Sequence, residues 1–72
     1  MNPLSEQFGG DHYRKMKIQP IEFVLANDLG YCEGNIIKYV CRFRDKNGID
    51  DLHKARHYID FLISRELENE TK

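Results

Sequence analysis

Apolar residues recur at helical intervals along most of this chain, and no run alternates convincingly with period two. Ile21, Val24 and Leu25 stand at i, i+3 and i+4, with Pro20 just ahead of them. Proline suits the first turn of a helix, where its missing N–H costs nothing. Gly30 stands where a left-handed C-cap belongs. The pattern predicts a short first helix, about Pro20 to Asp28. A second helix runs from Tyr31 or Cys32 to Asp45, with Ile36, Val40 and Phe43 as its core stripe and Ile37 beside it. Asn47-Gly48 predicts a turn. The third helix begins near Asp50, read as its N-cap, with Asp51 in the first turn, and continues to about Glu68. Leu52, Ala55, Ile59, Leu62 and Ile63 make its core stripe.

The fold expected is therefore all-α. It is one small helical domain, residues 11–68, in which a short first helix covers one end of an antiparallel hairpin of two longer helices. Residues 1–10, with Pro3, Ser5 and Gly9-Gly10, read as a flexible arm, and residues 69–72 as a polar tail. Tyr58 and Phe61 broaden the apolar surface of the third helix, and Phe61 points nearly opposite to its core stripe. An aromatic patch on so small a domain marks an interface. The chain has 72 residues, and a domain of that size buries only roughly 60% of the surface its unfolded form exposes. Both facts favour a homo-oligomer; the other reading folds the N-terminal arm over the patch.

Charge narrows the function classes. The 11 basic and 12 acidic residues nearly cancel, which excludes a general nucleic-acid coat. Two cysteines cannot build a disulfide framework and suit a cytoplasmic protein. No apolar run approaches the roughly 20 residues of a membrane span. A basic stretch followed by an apolar core, the mark of a leader, is missing too.

Local clusters carry the candidate chemistry. Asn35, Lys38 and Arg42 follow at i, i+3 and i+7, on a face opposite Ile36, Val40 and Phe43. An amide, an ammonium and a planar guanidinium in line near a helix start suit a phosphate. The same spacing also describes a solvated helix face. Glu33 and Arg44 bracket an apolar stripe, where unpaired charges are costly unless they sit at a rim. Glu33 at a pocket edge suits ribose hydroxyls. In the loop Asp11 to Pro20, His12 and Tyr13 stand with Arg14, Lys15 and Lys17, a set that can stack on a base and contact phosphates, or simply be a charged loop.

Other chemistries fit less well. His53 and His57 have a metal-binding spacing, but Cys32 and Cys41 are separated by eight residues, too far for a zinc finger, so no metal site is assigned. A helix-turn-helix reading meets an acidic third helix with Asp50, Asp51, Asp60, Glu66 and Glu68. No P-loop, GxGxxG or Ser/His/Asp arrangement is present.

The segments "DHY" at 11–13, "IQPIEF" at 18–23, "EGNIIKYVCRFRDKNG" at 33–48 and "DLHKARHYID" at 51–60 resemble a family of short phage-encoded proteins known as a domain of unknown function. That family includes the nucleotide kinase-like protein of T7-like phages, which works without a P-loop. The resemblance implies a nucleotide-handling protein of the infected bacterial cytoplasm. It adds Tyr39, Lys54 and His57 to the ligand-binding set of His12, Tyr13, Lys15, Glu33, Asn35, Lys38 and Arg42. The leading expectation is a homo-oligomer that binds and sequesters a nucleotide of immune-signal type, a cyclic nucleotide or an ADP-ribose derivative. Such a trap needs no cofactor, membrane or nucleic-acid partner. The alternative is a deoxynucleoside monophosphate kinase using Mg²⁺, with Glu33, Asp51 and Asp60 as the available carboxylates. A third reading is a host-takeover interaction protein whose basic stripe is solvated.

Overall fold

A computed structural model describes residues 16–70. The expectations for the arm at 1–10, and for His12, Tyr13 and Lys15, lie outside the described residues. Three helices follow in order: α1 (Pro20–Ala26), α2 (Tyr31–Arg42) and α3 (Ile49–Glu70). The described residues are all-helical, with no strand.

Pro20 opens α1 and is buried. The helix ends at Ala26, two residues before the expected stop. It closes with two crossed hydrogen bonds: Asp28 N–H donates to Leu25 C=O at 3.3 Å, and Leu29 N–H to Val24 C=O at 3.0 Å. That pairing needs a left-handed residue just past the C-cap. Asp28 supplies it, with φ 54°, and not the expected Gly30. Gly30 is extended (φ −81°) and serves as the N-cap of α2. Aspartate tolerates the left-handed region better than most side chains, so the glycine two residues later is not needed there. In α1, Val24 is half-buried, whereas Ile21 and Leu25 are 53% and 68% exposed.

α1 packs on α2 at Gly34. A Cβ there would meet Val24 Cγ1 at 3.4 Å, an ordinary van der Waals contact. Interior glycine costs a helix about 0.8–1.0 kcal/mol relative to alanine. Gly34→Ala is therefore expected to stabilise the fold by roughly 0.5–1 kcal/mol, read as a higher urea midpoint. Gly34→Leu has no such room and lowers the midpoint. An unchanged midpoint for both would remove the close approach of α1 from the account.

α2 ends at Arg42, short of the expected Asp45, in a run of turns over residues 43–48. Gly48 has φ 56°, a conformation that favours glycine. α3 begins at Ile49, so Asp50 lies in the first turn and is not the N-cap. Asp51 takes over that end. Its Oδ2 accepts a hydrogen bond from the Asn47 N–H at 3.1 Å, and its Oδ1 one from Arg42 Nη2 at 3.3 Å. One carboxylate thus ties the end of α2, the turn and the start of α3 together.

The main packing is between α2 and α3, with α1 laid on α2. The Arg42–Asp51 pair at one end and Tyr31 against Tyr58 at the other are compatible with the antiparallel pairing expected. The stripes, however, are turned. In α3 the buried residues are Asp51 and Ala55, with Tyr58 and Leu62 half-buried along the same line. Ile59 and Ile63, expected in the core, are 40% and 51% exposed. The buried face lies roughly 60° around the helix from the expected one, at about 100° per residue. In α2, Val40 is 46% exposed, while Ile36, Ile37 and Phe43 are half-buried. Arg42, expected on the opposite face, turns toward α3, and its side chain is only 15% exposed. The ion pair and the tyrosine cluster face each other across the two helices. A pattern search that counts only apolar residues does not see that match.

Candidate functional site

Tyr39 sits in the last turn of α2 and is half-buried against α3. Tyr58 stacks on it at 6.1 Å between ring centroids, with the rings only 17° apart. Tyr31 meets Tyr58 edge-on at 5.9 Å. The i+8 spacing from Tyr31 to Tyr39 places both on one side of α2, so the three tyrosines form one ridge between the helices. The Tyr58 hydroxyl is pushed above its ordinary value, first by a hydrogen bond with Tyr31 and then by burial. It stays protonated at neutral pH.

Three cations surround the Tyr39 ring. Lys38 Nζ lies 4.6 Å from the ring centroid, Arg42 Cζ 4.7 Å and Lys54 Nζ 5.5 Å. All are within cation–π range. Their charges are not equally available. Arg42 faces the buried Asp51 carboxylate. Burial alone would raise the Asp51 carboxyl. The hydrogen bonds from Asn47 N–H and Arg42, with the charges of Arg42 and Lys54, outweigh burial and hold it below the usual carboxylate value. Among the described residues, neither Lys38 nor Lys54 has a salt-bridge partner. Neither makes a direct ion pair, and although the Lys54 charge also acts on Asp51, two ammonium groups beside one ring favour an anion.

An open groove of about 400 Å³ adjoins this ring, lined by Tyr39, His53, Lys54, His57 and Tyr58. His57 stands at its edge, its ring 4.8 Å from that of Phe61 at 67°. His53 Nδ1 accepts a hydrogen bond from Arg56 Nη2 at 2.9 Å. Guanidinium only donates, so that ring carries its proton on Nε2, which leaves a donor for a ligand. The groove offers aromatic faces, an ammonium and imidazole N–H groups side by side. That combination takes planar, negatively charged ligands.

The structure thus brings together Tyr39, Lys54 and His57 at the groove, with Lys38 against the Tyr39 ring. Arg42 also touches that ring but is committed to Asp51. Asn35 leaves the expected phosphate line: its Nδ2 donates to Tyr31 C=O at 2.9 Å. Glu33 folds back over the N-cap, where a Cβ on Gly30 would stand 3.0 Å from its Oε1. Tyr58, expected at a subunit interface, is half-buried inside the chain's own aromatic cluster, whereas Phe61 is 53% exposed. The sequence suggests His53 only as a metal partner of His57, and Asp51 as a first-turn acid or a kinase carboxylate, not as the partner of Arg42. The signal that could have found Asp51 is its placement opposite Arg42 across the Asn47-Gly48 turn.

Cys32 and Cys41 are free and half-buried, and burial pushes the Cys41 thiol up. Among the described residues, no three potential metal ligands gather at one point. No described helix is long and apolar enough to cross a membrane.

Neither a curated protein nor a solved structure matches the chain. A family model does match, over residues 8–60, and it is described as a protein of unknown function, DUF3310. That span runs from before α1 to the middle of α3 and takes in every residue of the groove. The match covers well over half the chain, which therefore belongs to the DUF3310 family.

Proposed function

We propose that this protein binds a nucleotide in the Tyr39 groove and sequesters it without breaking a bond, with α2 and α3 paired as an antiparallel hairpin and the chain acting as a homo-oligomer. The observation that carries this reading is the Tyr39 ring, contacted by Lys38, Arg42 and Lys54 beside an open groove. A base stacks on the aromatic faces, and Lys38 and Lys54 meet phosphate. Signalling nucleotides of cyclic or ADP-ribose type are the ligand class proposed, and a phage protein withdrawing them from a host defence is the setting the family resemblance suggests.

Binding is favoured over phosphotransfer by the state of two of the three carboxylates a kinase would use. A kinase needs acids near the phosphates to hold Mg²⁺. Asp51 is committed to Arg42 and Asn47, and Glu33 lies folded over Gly30. The test incubates the full chain with cyclic dinucleotides, ADP-ribose and deoxynucleoside monophosphates, the last with a triphosphate donor and Mg²⁺. Intact ligand released on denaturation is the expected result. Phosphorylated product would replace sequestration with the kinase reading, and no retained ligand of any kind would overturn nucleotide binding.

A further inference from the structure

Among the described residues, the turned stripe of α3 leaves a second apolar line uncovered. Ile49, Leu52, Arg56, Ile59, Ile63 and Glu66 follow one another at steps of three, four, three, four and three residues. That is the spacing of a coiled-coil seam. Ile49, Ile59 and Ile63 are 63%, 40% and 51% exposed, and Leu52 is half-buried. α3 also outruns its partner. It has 22 residues against 12 in α2, so at about 1.5 Å per residue roughly 15 Å of it extends past the shorter helix.

We infer that the Arg56–Glu66 stretch of this seam is where two copies of the chain join, α3 against α3, in antiparallel orientation. The two polar members of the seam decide the orientation. Place a two-fold axis at the level of Phe61. Ile59 of one copy then faces Ile63 of the second copy, and Arg56 faces Glu66 of the second copy. Symmetry repeats each contact, so one apolar centre is flanked by two opposite-charge pairs. A parallel pair sets arginine against arginine and glutamate against glutamate, which is repulsive. Arg56 and Glu66 are both exposed, and the hydrogen bond of Arg56 to His53 uses only part of its donor fork. Lys54, His57 and Phe61 lie on a different side of α3, so the groove stays open in the dimer. The seam deepens the self-association in the reading above and rests on no ligand.

The test is sedimentation equilibrium of the full chain over a range of concentrations, with helicity checked by circular dichroism. The wild-type chain self-associates. Arg56→Glu and Glu66→Arg each weaken association by about tenfold or more, and the double reversal restores it. Ile59→Asp disrupts it with helicity retained. A monomeric wild-type chain overturns the inference. So do single reversals without effect, or a double reversal that stays dissociated. Lys54→Ala leaves association intact, and Ile59→Asp and Glu66→Arg, which touch no groove residue, still take up nucleotide, so failure of the seam and failure of the groove are read separately.

Discussion

Replacing Asp51 with alanine lowers the melting temperature by roughly 10 °C or more, the largest stability effect expected of any single substitution in this chain. The side chain is fully buried and serves two partners on two different segments. Its removal takes the counter-charge from Arg42, whose side chain is itself mostly buried, and the acceptor from the Asn47 N–H. Losing one member of a buried pair is far worse than losing both, because a charge stays behind in a poor solvent. The double variant Arg42→Met/Asp51→Leu should accordingly be more stable than the sum of the single losses. Ala55 and Pro20 are the only buried apolar residues among those described, so little else compensates. A melting temperature within two or three degrees of wild type for Asp51→Ala would show that the pair does not hold the helices together.

The same carboxylate sets an acid limit. Its folded-state value is held below the ordinary 3.8. A depressed acid contributes stability that is fully present above its unfolded value and is lost as pH falls through the folded one. The wild-type chain therefore loses stability below about pH 4, and Asp51→Asn, destabilised at neutral pH, shows a shallower loss there. Melting curves between pH 2 and 7 check this, and parallel curves for both proteins would assign the acid limb to other groups.

Tyr39→Leu weakens nucleotide binding by roughly 10- to 100-fold, the largest functional effect expected, while Tyr39→Phe binds nearly as wild type. Leucine keeps the apolar volume against Tyr58 but removes the π face that gathers the three cations and is proposed to take a base. Phenylalanine keeps both. Lys54→Ala costs about tenfold, as one charge-assisted phosphate contact does. Asn35→Ala leaves affinity unchanged, because its amide is spent on the Tyr31 carbonyl. Isothermal titration with a retained ligand measures all four, and wild-type affinity in Tyr39→Leu would remove the groove from the account.

How far the sequence reached can be followed at single residues. Pro20 marked the first helix, and Gly48 the turn into the third, because both act through their own backbone dihedrals. Lys38, Tyr39, Lys54 and His57 were selected from the sequence, and the structure places them around one ring and one groove. Arg42 is expected to meet a phosphate, and its pairing with Asp51 is not legible in the sequence. The left-handed residue after α1 was assigned to Gly30 when it belongs to Asp28. Local identity said only that some residue there had to take that conformation.

The sequence by itself determined three helices and their approximate ends, because helical period and chain-breaking residues are local properties. Only the tertiary structure decided which face of each helix turns inward. In EGNIIKYVCRFR (33–44), the isoleucine–valine stripe competes with Tyr39 and Arg42 for the same neighbour. Tyr39 wins by stacking on Tyr58, and Arg42 by meeting a buried carboxylate. Those partners lie beyond the turn, on another helix. An ion pair between separate elements leaves no periodic trace in either one, so the rotation that builds the groove, and exposes Ile59 and Ile63, was invisible until α2 and α3 were packed together.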